Sequence, residues 1–226
     1  RECKKIFMKV LNFANVAGKV RGGGVHEVVY SFFRVQNSIK IDSHLWFPGF
    51  SSEEEELQSE LPFAHKKKVK ALPTFLNPNF GLLKNKASLK KELLNFDVIH
   101  QHGAWLPISK LCSYAKKKSG APFLLQPHGY FEKYRLELSK TKKKVSYFLF
   151  EKRNIELSDI LVACSYDEYE NLRELFPSKD IAIIPNGVPE SFLKSKSKGD
   201  YFHNKKFRGK KNMLFLSRIH PLKGLE

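Results

Sequence analysis

Short apolar runs recur along this chain at intervals long enough to hold a helix between one run and the next, and that alternation restricts the fold more than any other feature. The runs fall at 6–13, 41–47, 96–100, 123–126, 160–163 and 181–184, and several close on Gly or Pro, as strands do. Between them, 25–33 is amphipathic. Residues 108–118 place apolar side chains at helical spacing and end in lysines before Gly120, where positive charge suits the helix dipole. Ser165 precedes 166–176 as an N-cap, with Glu168 at the capping-box position. The stretch 130–157 has no strand signal and reads as helical. Parallel neighbours need a crossover connection, and an α-helix fills it. The alternation therefore predicts an α/β fold, a Rossmann-like parallel sheet with helices on both faces.

Composition shifts at 191–211 to Lys, Ser, Gly and Asn, which reads as a basic linker. Residues 213–216 resume as a buried strand and open into a basic, Gly-containing loop ending at Gly224. The expected organisation is a first domain over 1–190, a linker over 191–211, and the start of a second domain over 212–226. Arg1 is not an initiator methionine, and the chain stops at Glu226 just after the new strand–turn pattern begins, so a piece of a longer protein is expected. No apolar run approaches the ~18 residues that would span a bilayer, which predicts a soluble or peripheral protein. Cys3, Cys112 and Cys164 are odd in number, far apart and without C-x-x-C spacing; they give no disulfide framework or zinc site and fit a reducing cytoplasm. The 40 Lys and Arg against 23 Asp and Glu leave a net charge of +17, which attracts polyanions or an anionic membrane surface without deciding between them.

Candidate chemistry gathers where apolar runs end. Gly22, Gly23 and Gly24 lie between a strand and a helix, where a glycine loop lets backbone N–H groups approach an anion or a sugar. The spacing is neither the dinucleotide fingerprint nor a Walker loop, which disfavours NAD and P-loop chemistry. His100, His102 and His128 fall at strand ends, the side of an open α/β sheet where ligands collect. His100 and His102 share one side of an extended segment with Gln101 opposite. No Asp, Glu or Cys supplies a third ligand, so no metal site is assigned, and hydrogen-bonded core histidines are the simpler reading for this pair. His128 differs because Pro127 and Gly129 flank it and present its ring from a loop. Arg218 and Lys223 are positioned to meet a diphosphate, or are ordinary solvated charges. The lysine groups at 66–68, 116–118 and 142–144 read as solvated helix ends. Within 140–155, lysines alternate with Tyr147, Phe148, Leu149 and Phe150; core packing ranks first for these aromatics, and a membrane interface second.

Taken in order, the segments Gly22–Val29, Asp97–Gly103, Pro127–Glu132, Ser158–Asp159 through Ser165 and Glu168 to Leu172, Ile184–Val188, and Leu216–Arg218 with Lys223–Gly224 resemble one family: the retaining, metal-independent glycosyltransferases of family 4, which have the GT-B fold. The resemblance implies the N-terminal half of that fold, an acceptor-side domain over 1–190, and the first strand and loop of a C-terminal nucleotide-sugar domain over 212–226. It implies sugar transfer from a nucleotide-sugar donor to a glycan or lipid-linked acceptor, in surface polysaccharide or lipopolysaccharide synthesis, at the cytoplasmic face of a membrane, with no cofactor. By position, Gly23 and Gly24 would approach the donor phosphate and sugar. His128 would be catalytic, bonding the donor sugar near the reacting carbon. Arg218 and Lys223 would neutralise the departing diphosphate, and His102 and Glu132 would lie on the acceptor side. The family's paired glutamates of the second domain are absent from the sequence, so the chain alone is expected to show little turnover. The rival reading is a non-enzymatic anion-binding module for nucleic acid or anionic membrane. No nucleic-acid motif supports it, and nucleic acid is not an expected partner.

Overall fold

A computed structural model of the chain describes residues 8–14, 19–72, 86–105, 108–188, 211 and 213–217. The chain divides into two units, Arg1–Gly187 and Val188–Glu226. The first runs β1 (Lys9–Ala14), α1 (Lys19–Ser38), β2 (Asp42–Pro48), α2 (Ser51–Ser59), α3 (Phe63–Lys66), β3 (Val69–Leu72), α4 (Lys86–Leu93), β4 (Val98–His102) and α5 (Ile108–Ser119). It continues through β5 (Phe123–Gln126), α6 (Lys133–Glu137), α7 (Lys140–Ser146), a π-helical turn (Tyr147–Glu151), α8 (Lys152–Leu157), β6 (Ile160–Ala163), α9 (Tyr166–Leu175) and β7 (Asp180–Ile183).

These strands form one seven-stranded sheet in the order β3-β2-β1-β4-β5-β6-β7, and every neighbouring pair is parallel. Both faces are covered, which is why the strands read as continuous apolar runs instead of alternating with polar residues. One face carries Leu11, Phe13, Ile99, Phe123 and Leu125 against Leu93 of α4, Leu111 of α5 and Ile155 of α8. The other carries Ala14, Leu45 and Phe47 against Val29 and Phe33 of α1 and Leu57 of α2. Two aspartates set neighbouring strands in register. Asp97, just before β4, accepts from the Lys9 N–H at 2.7 Å, and Asp159, just before β6, accepts from the Phe123 N–H at 2.7 Å. The order of strands reverses between β1 and β4, so the crevice above their carboxyl ends is the topological switch point of the sheet.

Two local expectations are corrected and others are given detail. Gly22, Gly23 and Gly24 lie inside α1, which begins at Lys19, and not in a loop ahead of it. The acidic run Glu53–Glu56 lies in helix α2, where Glu53 accepts from the Phe50 N–H at 2.9 Å and Glu54 accepts from the Ala71 N–H of edge strand β3 at 2.7 Å. That strand and α4 were not anticipated. The stretch 130–157 is helical as expected, divided into three short helices and a π turn, with Ser139 at φ 56° separating α6 from α7. Residues 213–216 are not a buried strand. They pair with nothing among the described residues, and Met213 and Leu216 are 99% and 89% exposed.

Candidate active site

Parallel register brings three strand ends together. Asn12 of β1 lies beside His100 of β4, Ala14 beside His102, and His102 beside Gln126 of β5. Side chains two apart on a strand share a face. That face is covered by α1, whose Phe32 ring packs 5.8 Å from both His100 and His102. The His102 Nδ1 lies 3.1 Å from His128 Nε2, and its Nε2 lies 3.3 Å from Asn12 Oδ1. Asn12 Nδ2 donates to Gln36 Oε1 at 2.7 Å and to Ser43 Oγ at 2.8 Å, and Ser43 Oγ donates to Gln36 Oε1 at 2.8 Å.

This network assigns the imidazole tautomers. With its amide nitrogen committed to Gln36 and Ser43, Asn12 presents oxygen to His102, so His102 donates from Nε2 and accepts at Nδ1. His128 must then donate from Nε2, leaving its Nδ1 with a lone pair. A neutral ring held this way can accept a hydroxyl hydrogen.

The backbone at His128 is as constrained as its ring. His128 has φ 56°, a left-handed conformation that costs about 1–2 kcal/mol for a residue with a Cβ. Gly129 follows at φ 74°, a conformation strained for any side chain, and a Cβ there would also push Glu132 Oε1 aside from 2.7 Å, so glycine is favoured. Buried Glu168, at the start of α9, holds the loop: its carboxylate accepts from the Gly129 N–H at 2.5 Å and from the Cys164 N–H at 2.8 Å. Its own N–H donates to Ser165 Oγ at 3.1 Å, the N-cap expected from sequence. A second buried carboxylate, Glu151, secures the loop after β4 by accepting from the Trp105 N–H at 2.9 Å and Ser109 Oγ at 3.0 Å; burial outweighs these bonds and pushes it up to about 7.

All three histidines are neutral near neutral pH. Burial, reinforced by His128, lowers His100 to about 3; the Gln126 amide opposes the shift without completing a hydrogen bond. Burial and the neighbouring imidazoles hold His102 well below the ordinary range. Burial lowers His128 to about 4 against the pull of Glu168. The depressed values mean that the unfolded chain takes up protons the folded one refuses, so these groups favour folding above pH 6.5 and progressively lose that contribution as pH falls toward 4. His100→Leu should therefore lose less stability than wild type between pH 7 and pH 5, by up to about 2 kcal/mol. Urea unfolding at both values reads the difference; equal losses would show that His100 is protonated in the fold.

Of the residues singled out from sequence, His102 and His128 are brought into direct contact. Glu132 occupies the N-cap position of α6 without a side-chain capping bond, and its carboxylate lies over Gly129. Gly23 and Gly24 lie in α1, where Gly24 is exposed and a Cβ would meet nothing within 4 Å. Arg218 and Lys223 lie outside the described residues. Sequence reasoning missed Asn12, Gln36 and Ser43, and saw Glu168 only as a cap. Among the described residues, no group of three His, Cys, Asp or Glu side chains is placed to hold a metal.

The model of Glycosyltransferase Family 4 matches residues 22–192. No curated protein sequence matches closely enough to be counted. Among solved structures, the chain is similar to HepE of Anabaena in complex with UDP-glucose, with a TM-score of 0.58 and 12% identity over 84% of this chain and 47% of that one. It is also similar to sucrose-phosphate synthase from Thermosynechococcus elongatus, with a TM-score of 0.55 and 14% identity over 81% of this chain and 49% of that one. At such identities the likeness is one of fold. The chain spans about half the length of either protein.

Proposed function

The chain belongs to glycosyltransferase family 4, and from that premise we propose that it serves a retaining, metal-independent transferase that moves a sugar from a nucleotide-sugar to a glycan or lipid-linked acceptor. The observation that carries the reading is His128: a neutral ring with a free lone pair, held by His102 and Glu168 at the carboxyl end of β5. Such a ring can orient a sugar hydroxyl without placing a cation beside the developing oxocarbenium charge. The complex of HepE with UDP-glucose supports a uridine-diphosphate hexose as the first donor to try. Arg218 and Lys223 are assigned the leaving diphosphate by resemblance, because charge developing there needs a preorganised partner. The product belongs to surface polysaccharide or lipopolysaccharide synthesis at the cytoplasmic face of a membrane.

The test is to incubate the full-length protein with a panel of nucleotide-sugars and lipid-linked acceptors in the presence of a chelator, and to read the anomeric configuration of the product by NMR. Transfer with retention is expected. Inversion, or activity lost to the chelator, overturns the mechanistic class. Tight, selective oligonucleotide binding with no nucleotide-sugar binding favours the rival module.

Gly24 separates a structural role from a functional one. An alanine there has room in a helix that glycine weakens, so Gly24→Ala should stabilise the fold by about 0.5–1 kcal/mol. If the donor approaches this backbone, the same variant should lose donor affinity. Melting and donor titration on one sample decide; gained stability with unchanged affinity removes Gly24 from the site.

A further inference from the structure

Between Ser146 and Lys152 the helical chain passes through the π turn, which inserts a residue and shifts the phase of the side chains on either side of it. Glu151 is thereby turned fully inward, and Tyr147 packs against the core. Phe148 and Leu149 point the other way and are 69% and 66% exposed, with Val145 beside them at 53%. Core packing, the first-ranked reading of these aromatics from sequence, thus fails for Phe148 and its neighbour Leu149. Two adjacent large apolar side chains left in water on a helical turn need an explanation that scattered surface residues do not.

The adjoining surface supplies one. Between α5 and the π turn with α8 runs a groove of about 300 Å³ that includes Lys110, Tyr114, Lys117, Leu149, Phe150 and Arg153. No carboxylate lines it, and none of its three cations is in an ion pair among the described residues. The Lys110 Nζ rests 5.4 Å from the Phe150 ring, leaving its charge at the rim of an apolar floor. Lys142 and Lys144 are exposed on the preceding helix.

We propose that this face docks on an anionic phospholipid bilayer, with Phe148 and Leu149 entering the boundary between headgroups and acyl chains while Lys110, Lys117 and Arg153 hold lipid phosphates. Exposed apolar side chains beside a groove of unpaired cations suit a soft two-layered surface that is anionic outside and apolar beneath. The charges that line the groove beside the apolar pair are all positive, and the net charge of +17 draws the whole chain toward the same anionic surface. The inference goes beyond the transfer reaction and does not rest on it, since binding is read without turnover.

Flotation of the full-length protein with phosphatidylcholine vesicles, with and without phosphatidylglycerol, at low and high salt tests the docking face. Wild type is expected to float only with the anionic vesicles and to be released by salt. Phe148→Ser with Leu149→Ser should weaken binding by about tenfold or more. Lys110→Glu, Lys117→Glu and Arg153→Glu together should weaken it on the order of a hundredfold or more. Lys40→Glu, Lys66→Glu and Lys67→Glu, an equal change of charge on the α1–α3 side, should weaken it far less. Melting temperatures confirm that each variant is folded. Equal flotation with neutral vesicles, wild-type affinity in the folded Phe148 and Leu149 variant, or equal losses in the two charge-reversed variants overturns the proposal. So does the absence of vesicle binding beside tight oligonucleotide binding lost in the groove variant, which would assign the face to nucleic acid.

Discussion

His128→Ala is expected to lower kcat of the full-length enzyme by about 10²–10³ while changing nucleotide affinity less than about threefold. The ring is neutral, buried and tied through Nε2 to His102, so its free Nδ1 can bond a hydroxyl only in one place. An interaction fixed in that way selects orientation of the reacting sugar, which appears in kcat, and contributes little to holding the nucleotide. His128→Ala also removes the donor to His102 and places another residue with a Cβ at φ 56°, so a loss of fold must be separated from a loss of chemistry. His128→Asn does this, because asparagine tolerates left-handed backbone better than alanine. If His128 is only a packed side chain, both variants melt earlier but turn over normally while folded. Unchanged kcat in folded His128→Asn would remove the catalytic assignment.

Glu168→Ala should reduce stability by about 2–4 kcal/mol, a large effect for one residue on the first turn of a helix. Its carboxylate is the hydrogen-bond acceptor for the N–H groups of both Gly129 and Cys164, and the side chain is only 4% exposed, so alanine leaves two donors without a partner and admits little water. Glu168→Gln keeps one acceptor oxygen and should cost roughly half as much. Because Gly129 adjoins His128, the alanine variant should also lose kcat in its folded fraction. Glu132→Ala is the comparison: that carboxylate is exposed, and its removal should change stability by less than about 0.5 kcal/mol. Urea unfolding of the three variants orders them, and wild-type stability in Glu168→Ala would show that the loop holds itself.

His128 could be found in the sequence because its constraint is local: Pro127 fixes the chain before it, and Gly129 permits the turn after it. The rest of the network offered no such signal. Asn12 is 90 residues from His102, 31 from Ser43 and 24 from Gln36, and no periodicity relates a polar residue on one strand to a histidine on another. Glu168 satisfied the capping pattern and was read as that alone; its side chain serves a loop 39 residues earlier. The lysine and aromatic mix at 140–155 was legible as composition, but a π turn decided which aromatics face water, and ordinary helical spacing does not locate one.

The sequence by itself determined that this chain is an α/β protein with parallel strands, because strand and helix patterns are short-range and parallel neighbours require the crossovers they spell out. It also determined where Ser165 starts a helix and which histidine a loop presents. Tertiary structure alone decided that β1 and β4 are neighbours at the point where strand order reverses, and that decision set Asn12 beside His100, made His102 the link to His128, and buried all three rings so deeply that they stay neutral. The physical reason is range. Backbone preference and hydrophobic period act over a few residues, whereas register, burial and hydrogen-bond partnership belong to segments that meet only when the sheet closes.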